Sequence, residues 1–227
     1  MAGELDFGFL SDYWPAIAWG VVWTFVMTVA SLIPGAAFGV LCALARVYGS
    51  PTIARIAAVY VEVIRNTPSL IQAFWLFFGL ASLGLRLSPF MAAVLALSIN
   101  FAAYVGEIIR AGLEATPHGE IEAADCLGLS PLQRITAIEL PQAIERVFPA
   151  LVGQSILMML STSIMYQISA EELTGVAWYI QSFTFRSFEI YMIVAALYIG
   201  MTGLMRAALS SVGLLVFTRY RRLRTPL

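Results

Sequence analysis

The chain has 227 residues, 60% of them hydrophobic and 12% charged, with a formal net charge of −1 and a mean hydropathy of +0.84. A soluble domain of this length carries about a quarter charged residues, so the composition is that of an integral membrane protein. All 13 basic residues are Arg, which excludes a phosphate-binding Gly-Lys-Ser/Thr loop and Schiff-base chemistry through Lys.

A bilayer-spanning helix needs roughly 20 mostly apolar residues, and the apolar length predicts an all-α membrane domain of about five spans. No basic leader with a small-residue cleavage pattern opens the chain, so the acidic start (Glu4, Asp6, Asp12) reads as part of a short exported tail over residues 1–14. Tyr13 to Ala45 is uncharged and forms the first span, with Pro34-Gly35 as a kink. After Gly49-Ser50-Pro51, a second helix runs from Thr52 to about Leu80, interrupted by Glu62, Arg65 and Thr67-Pro68. Leu87 to Gly106 is the third span, ending in Glu107-Ile-Ile-Arg110. A polar hairpin follows, within a loop over residues 114–142. Val147 to Ala170 is the fourth span, Glu171 to Glu189 an amphipathic aromatic segment at an interface, and Ile190 to Thr218 the fifth span. The whole reads as one membrane domain, with a core over 15–218 and a basic tail over 219–227.

Basic residues accumulate on the cytoplasmic side. With the N-terminus outside, Arg46, Arg55, Arg110, Arg134, Arg146, Arg219, Arg221, Arg222 and Arg224 fall inside, and only Arg86 and Arg186 face out. This orientation makes the hairpin and the C-terminus cytoplasmic. Cys42 and Cys126 fall in a span and in the hairpin, so no disulfide is expected. A single histidine, His118, gives no metal cluster and no nucleophile–His pair, so neither a catalytic site, a cofactor nor a metal is expected.

Within the hairpin, Glu120 to Leu127 reads as a short helix with acidic residues toward its positive end. Gly128 stands where a left-handed residue would stop it. Ser130-Pro131 caps and starts a second short helix, which runs to about Leu140, before Pro141. Two short helices joined at a glycine make a knob suited to a partner's groove. Taken alone, the same pattern also describes a solvated loop joining two spans.

The hairpin carries Glu122-Ala123-Ala124, three residues, Gly128, nine residues, then Ile138-x-Leu140-Pro141. Together with Ala103-Tyr104-Val105-Gly106-Glu107-Ile108-Ile109-Arg110-Ala111-Gly112, Leu140-Pro141-Gln142-Ala143 and Arg65-Asn66-Thr67-Pro68, it resembles the polar amino-acid uptake branch of ABC importer permeases. Family-like features extend from about Trp19 to Phe217. The resemblance implies the type I importer fold in a bacterial inner membrane. It also implies a second permease subunit, a pair of ATP-binding cassette subunits that hydrolyse ATP, and an extracytoplasmic binding protein that delivers an amino acid. Nucleic acid has no part in it. Glu122, Ala123, Ala124, Gly128, Ile138, Leu140 and Pro141 are then ATPase-coupling residues, with Glu122, Ala123, Ala124 and Gly128 in direct contact with the ATPase.

Two departures stand out. Asn66 replaces a frequent family Gly, and Leu160-Ser161-Thr162-Ser163 replaces a frequent Lys-Asp-Thr-Ser. The second implies pairing with a paralogue rather than an identical copy, and resembles the uncharged version in histidine, basic amino-acid and opine systems.

Charges inside a membrane are costly and mark functional candidates. Glu62 and Arg65, like Glu107 and Arg110, lie three apart on one helix face, where an intrahelical ion pair is the plain alternative. A broken helix at Thr67-Pro68 suits a transport site. Glu62, Arg65, Thr67, Ser161, Thr162 and Ser163 are accordingly candidates for a translocation path, although the three hydroxyls serve equally well bonded to their own helix. A secondary transporter or channel without an ATPase is the competing function, and the lack of an internal repeat weighs against a secondary transporter.

Overall fold

The computed structural model describes residues 5–217, so Glu4, Thr218 and the basic tail with Arg219, Arg221, Arg222 and Arg224 lie outside the described residues. Within them all regular structure is helical: α1 Leu10–Tyr48, α2 Pro51–Arg65, α3 Ser69–Phe74, α4 Leu80–Ser82, α5 Pro89–Glu114, α6 His118–Cys126, α7 Pro131–Arg134, α8 Leu140–Ser161, α9 Leu173–Thr184 and α10 Ser187–Val216. Wide π-turns at Trp75–Gly79 and Ile135–Glu139 join α3 to α4 and α7 to α8, and a tight 3-10 segment, Thr162–Ile168, prolongs α8.

Among the described residues, four stretches are long and apolar enough to cross a membrane: Leu10–Tyr48, Pro89–Glu114, Pro131–Ile168 and Ser187–Val216. The segment expected as a second, interrupted span is two pieces, α2 and the short apolar stretch Ser69–Ser82, parted at Thr67-Pro68. Asn66 closes α2, and Pro68 starts the next piece in an extended conformation with φ −57° and ψ 136°. Proline lacks the amide needed to continue a helix, and it pushes its predecessor out of the helical region. The first span runs through Pro34-Gly35 as one helix of 39 residues. The break expected at Pro141 is also absent. Leu140 donates its amide to Ile135 across the π-turn, five residues back, and the wider turn makes room for a proline ring that would otherwise press on the carbonyl four residues earlier.

Contacts group the chain into two units. One holds the described residues up to Ile33, Thr67–Ser98 and Ile156–Met205. Its buried side chains include Ile17, Met27, Leu97, Met159, Met165, Ile168, Leu173, Ile180 and Ile190. Ser98 Oγ donates to the Ser31 carbonyl at 3.2 Å, Trp23 meets Phe90 edge-on, and α3 packs beside the Thr162–Ile168 segment.

The other unit holds Pro34–Asn66, Ile99–Ser155 and the described residues from Arg206. Here α1 and α5 approach closely: a Cβ on Gly39 would fall 2.6 Å from Val105 Cγ1 and 3.0 Å from the Ala102 carbonyl. Small residues let helix backbones meet in a membrane, and Gly39, Ala102, Ala103 and Gly106 supply them here. Cys42, Ala57, Val61 and Ala103 form the adjoining buried cluster.

Outward, α1 presents Val22, Val26, Val29 and Ile33, all exposed, an apolar stripe at helical spacing. A surface of this kind suits lipid rather than water.

Candidate functional site

The hairpin is built by local rules. The α6 helix ends at Leu127, and Gly128 takes φ +71°. The Gly128 amide donates to the Asp125 carbonyl at 3.0 Å and the Leu129 amide to that of Ala124 at 3.3 Å. This pair of bonds closes a helix end around a left-handed residue. On the other arm, Ser130 Oγ accepts from the Gln133 amide, and Gln133 Oε1 accepts from the Ser130 amide. The capping box is complete, with Pro131 at the first helical position.

At the tip stand Leu127, 77% exposed, and Leu132, 71% exposed. Neither belonged to the sequence-derived set, yet both were visible there as apolar residues flanking the turn of an otherwise polar loop. Glu122, Ala123, Gly128 and Pro141 are exposed, while Ile138 and Leu140 are partly covered. Ala124 is 1% exposed. Its side chain is therefore covered within this chain.

A chain of polar contacts runs behind the tip. Asp125 Oδ1 accepts from Arg134 Nη1 at 3.0 Å. Arg134 Nε donates to Glu139 Oε1 at 2.9 Å, and the Tyr48 hydroxyl, at the end of α1, donates to Glu139 Oε2 at 2.5 Å. Glu139 is 3% exposed.

The membrane-facing candidates separate into two sets. In the unit that holds the hairpin, Glu62 and Arg65 line a recess of ≈ 360 Å³ with Arg46 and Glu107. The intrahelical Glu62–Arg65 pair, the plain alternative for these charges, does not form. Glu62 Oε1 accepts from the Asn66 side-chain Nδ2 at 2.9 Å, whereas Arg65 lies over the Tyr104 ring and 3.9 Å from Glu107. Glu107 also pairs with Arg46 and, as its spacing suggests, with Arg110 at 2.6 Å.

In the other unit, the hydroxyls of Ser161, Thr162 and Ser163 donate to the carbonyls of Leu157, Met159 and Leu160, and Thr162 is fully buried. All three bond within their own helix. Thr67 precedes α3, and its carbonyl accepts from Gln72 Nε2 at 3.0 Å.

Sequence reasoning missed one more site. Glu172 is 0% exposed and caps α9, accepting from the Thr174 amide at 2.7 Å, the Gly175 amide at 2.5 Å and the Tyr198 hydroxyl at 2.9 Å. Burial pushes its carboxyl up to about 7 even though these donors pull it down. The signal was an acidic residue directly before a helix, at the position of an N-cap.

Residues 35–222 match the profile of the binding-protein-dependent transport system inner membrane component. The chain belongs to this family. Among its relatives in the family, a nopaline transport system permease from Agrobacterium fabrum is 33% identical over 208 residues, covering 87% of this chain and 86% of the relative. The glutamine transport system permease of Escherichia coli K12 is 36% identical, covering 85% and 90%. An L-cystine transport system permease of Bacillus subtilis is 31% identical, covering 87% and 86%. The crystal structure of an amino acid ABC transporter with histidines superposes with a TM-score of 0.84 at 37% identity, over 93% of this chain and 99% of the other. The methionine transporter MetNI, at 19% identity and a TM-score of 0.72, shares the fold. The match to this inner membrane component family takes in the whole hairpin. Its relatives here are permease subunits of amino-acid ABC importers, transport components rather than enzymes.

Proposed function

We propose that this chain is the membrane-spanning subunit of an ATP-driven importer for polar amino acids or their derivatives, in a bacterial inner membrane. Its N-terminus lies outside, and the hairpin Glu122–Pro141 docks on separate ATP-binding cassette subunits in the cytoplasm. A second permease subunit, a paralogue by the Leu160–Ser163 departure, completes the membrane part, and an extracytoplasmic binding protein delivers the cargo. The observation that carries this reading is the rigid polar hairpin with Leu127 and Leu132 held out at its tip, in a chain whose relatives are amino-acid permeases. An exposed apolar pair on a capped turn has no use in a simple connector and suits a groove on a partner. Lacking Lys, the chain cannot form a P-loop, which fits ATP hydrolysis by another subunit.

For the cargo, the recess formed by Arg46, Glu62, Arg65 and Glu107 offers both signs of charge, as a zwitterionic amino acid requires. Such charges, beside the broken helix after Arg65, are the candidates for the path. Thr67 and the Ser161–Ser163 turn are candidates through their position and backbone geometry, because the three hydroxyls and the Thr67 carbonyl are already engaged.

Gly128→Asp tests the docking. A side chain there meets nothing within 4 Å, and Asp enters the left-handed region more cheaply than bulkier residues do. The variant is therefore expected to insert normally and still to uncouple ATP hydrolysis from uptake in reconstituted vesicles. Normal transport by it would refute the coupling assignment.

A further inference from the structure

Arg134 and Glu139 are five residues apart. On an ordinary α-helix, neighbours on one face are three or four apart, and five residues place side chains roughly 140° apart around the axis. The two meet here because the π-turn Ile135–Glu139 lies between them. The extra residue that accommodates Pro141 also turns the Glu139 carboxylate inward, toward the arginine and the end of α1. Both of its oxygens are then used, one by Arg134 and one by Tyr48. Arg134 in turn holds Asp125 on the first arm of the hairpin. Four side chains thus join α6, the π-turn and the last residue of α1.

We propose that Glu139 is the positioning residue that ties the hairpin to the C-terminal end of α1, so that the two move as one body when the hairpin is displaced. This rests on the reading of the hairpin as the docking element for the ATPase. A loop with free play would absorb a partner's push. A tie of buried, mutually bonded groups passes it on, because packed elements shift between discrete arrangements rather than deforming.

The chain's own cysteines suit a test. Cys126 is exposed on the hairpin and Cys42 is buried in α1, while Leu41 is 60% exposed. Spin labels go on Cys126 and on Leu41→Cys in a Cys42→Ala background, in the complete complex with its cassette subunits in nanodiscs. The label-to-label distance is measured nucleotide-free and trapped with Mg-ATP and vanadate. The expected result is one narrow distance, the same in both states. Glu139→Gln should roughly double the width of the distribution and make the distance nucleotide-dependent. Tyr48→Phe, which removes one bond and leaves Glu139 paired with Arg134, should do so to a smaller degree and covers the case in which the first variant fails to insert.

A wild-type distance that changes on trapping overturns the tie, as does a Glu139→Gln distribution that stays narrow while only the melting temperature falls. Failure of the unmutated chain to co-purify with its cassette subunits would instead sink the docking reading itself.

Discussion

Two carboxylates are almost equally hidden in this protein and are kept there by opposite means. Glu139, 3% exposed, faces a guanidinium that is always charged and a tyrosine hydroxyl. Glu172, 0% exposed, faces two backbone amides and two hydroxyl-bearing side chains, with no cation among these partners. A buried pair of opposite charges is stabilised by geometry, and removing either partner strands the other. A buried carboxylate among neutral donors has another way out, since it can take up a proton. The first arrangement makes a fixed joint, and the second makes a helix cap that responds to pH.

The largest expected effect follows from that difference. The Glu172 carboxyl stands at about 7, against an ordinary 4.5. Between these values the folded state holds a proton that the unfolded state has lost. Stability is then fully present below about pH 4.5, falls as pH rises, and levels off above about 7. The displacement corresponds to about 3 kcal/mol. Thermal unfolding of the detergent-solubilised protein should show this loss between pH 5 and 8, and Glu172→Gln should flatten it. A wild-type profile that is already flat, or a Gln variant that keeps the slope, would remove the distinction between the two carboxylates.

The sequence was informative where structure is decided by neighbours along the chain. Ser50-Pro51, Gly128 and Ser130-Pro131 announced their turns, and the apolar runs announced four of the five expected spans as long helices, because capping and periodicity are short-range properties. What stayed hidden depended on an irregular turn or on a distant partner. The π-turn before Pro141 rewrote the spacing rule for Arg134 and Glu139, so that a residue between two of the expected coupling positions is buried and bonded to both Arg134 and Tyr48. Tyr48 meets Glu139 across 91 residues, and Tyr198 meets Glu172 across 26. Arg65 abandoned Glu62 for Glu107 and Tyr104, because α5 lies within reach. The family motif located the hairpin, but it did not say which of its residues turn inward; Ala124 does.

A smaller effect separates the donors of Glu172. Tyr198→Phe removes the hydroxyl that donates to Oε2 and contacts Thr174 Oγ1 at 3.2 Å, leaving both amide bonds in place. The loss of one such bond costs about 1 kcal/mol, and losing a donor to the charged form moves the carboxyl further up. The pH at which stability levels off should therefore rise in this variant. A midpoint that moves down would mean that the tyrosine does not donate to the carboxylate.

The smallest effect is expected in the hairpin, at Ser130. Ser130→Ala deletes the acceptor for the Gln133 amide and half of the capping box, an exposed contact. Loss of a cap costs about 1 kcal/mol where the helix has nothing else to hold it. Here Arg134, at the end of the same short helix, is already bonded to Asp125 and Glu139, so the α7 arm is held at its far end. The freed amide should exchange faster with solvent while the global melting temperature stays almost unchanged, because local opening and global unfolding report different free energies. If Ser130→Ala instead lowers the melting temperature as much as Tyr198→Phe does, the hairpin is held by its cap rather than by the buried carboxylate. Glu139 would then be no more of a joint than Glu172.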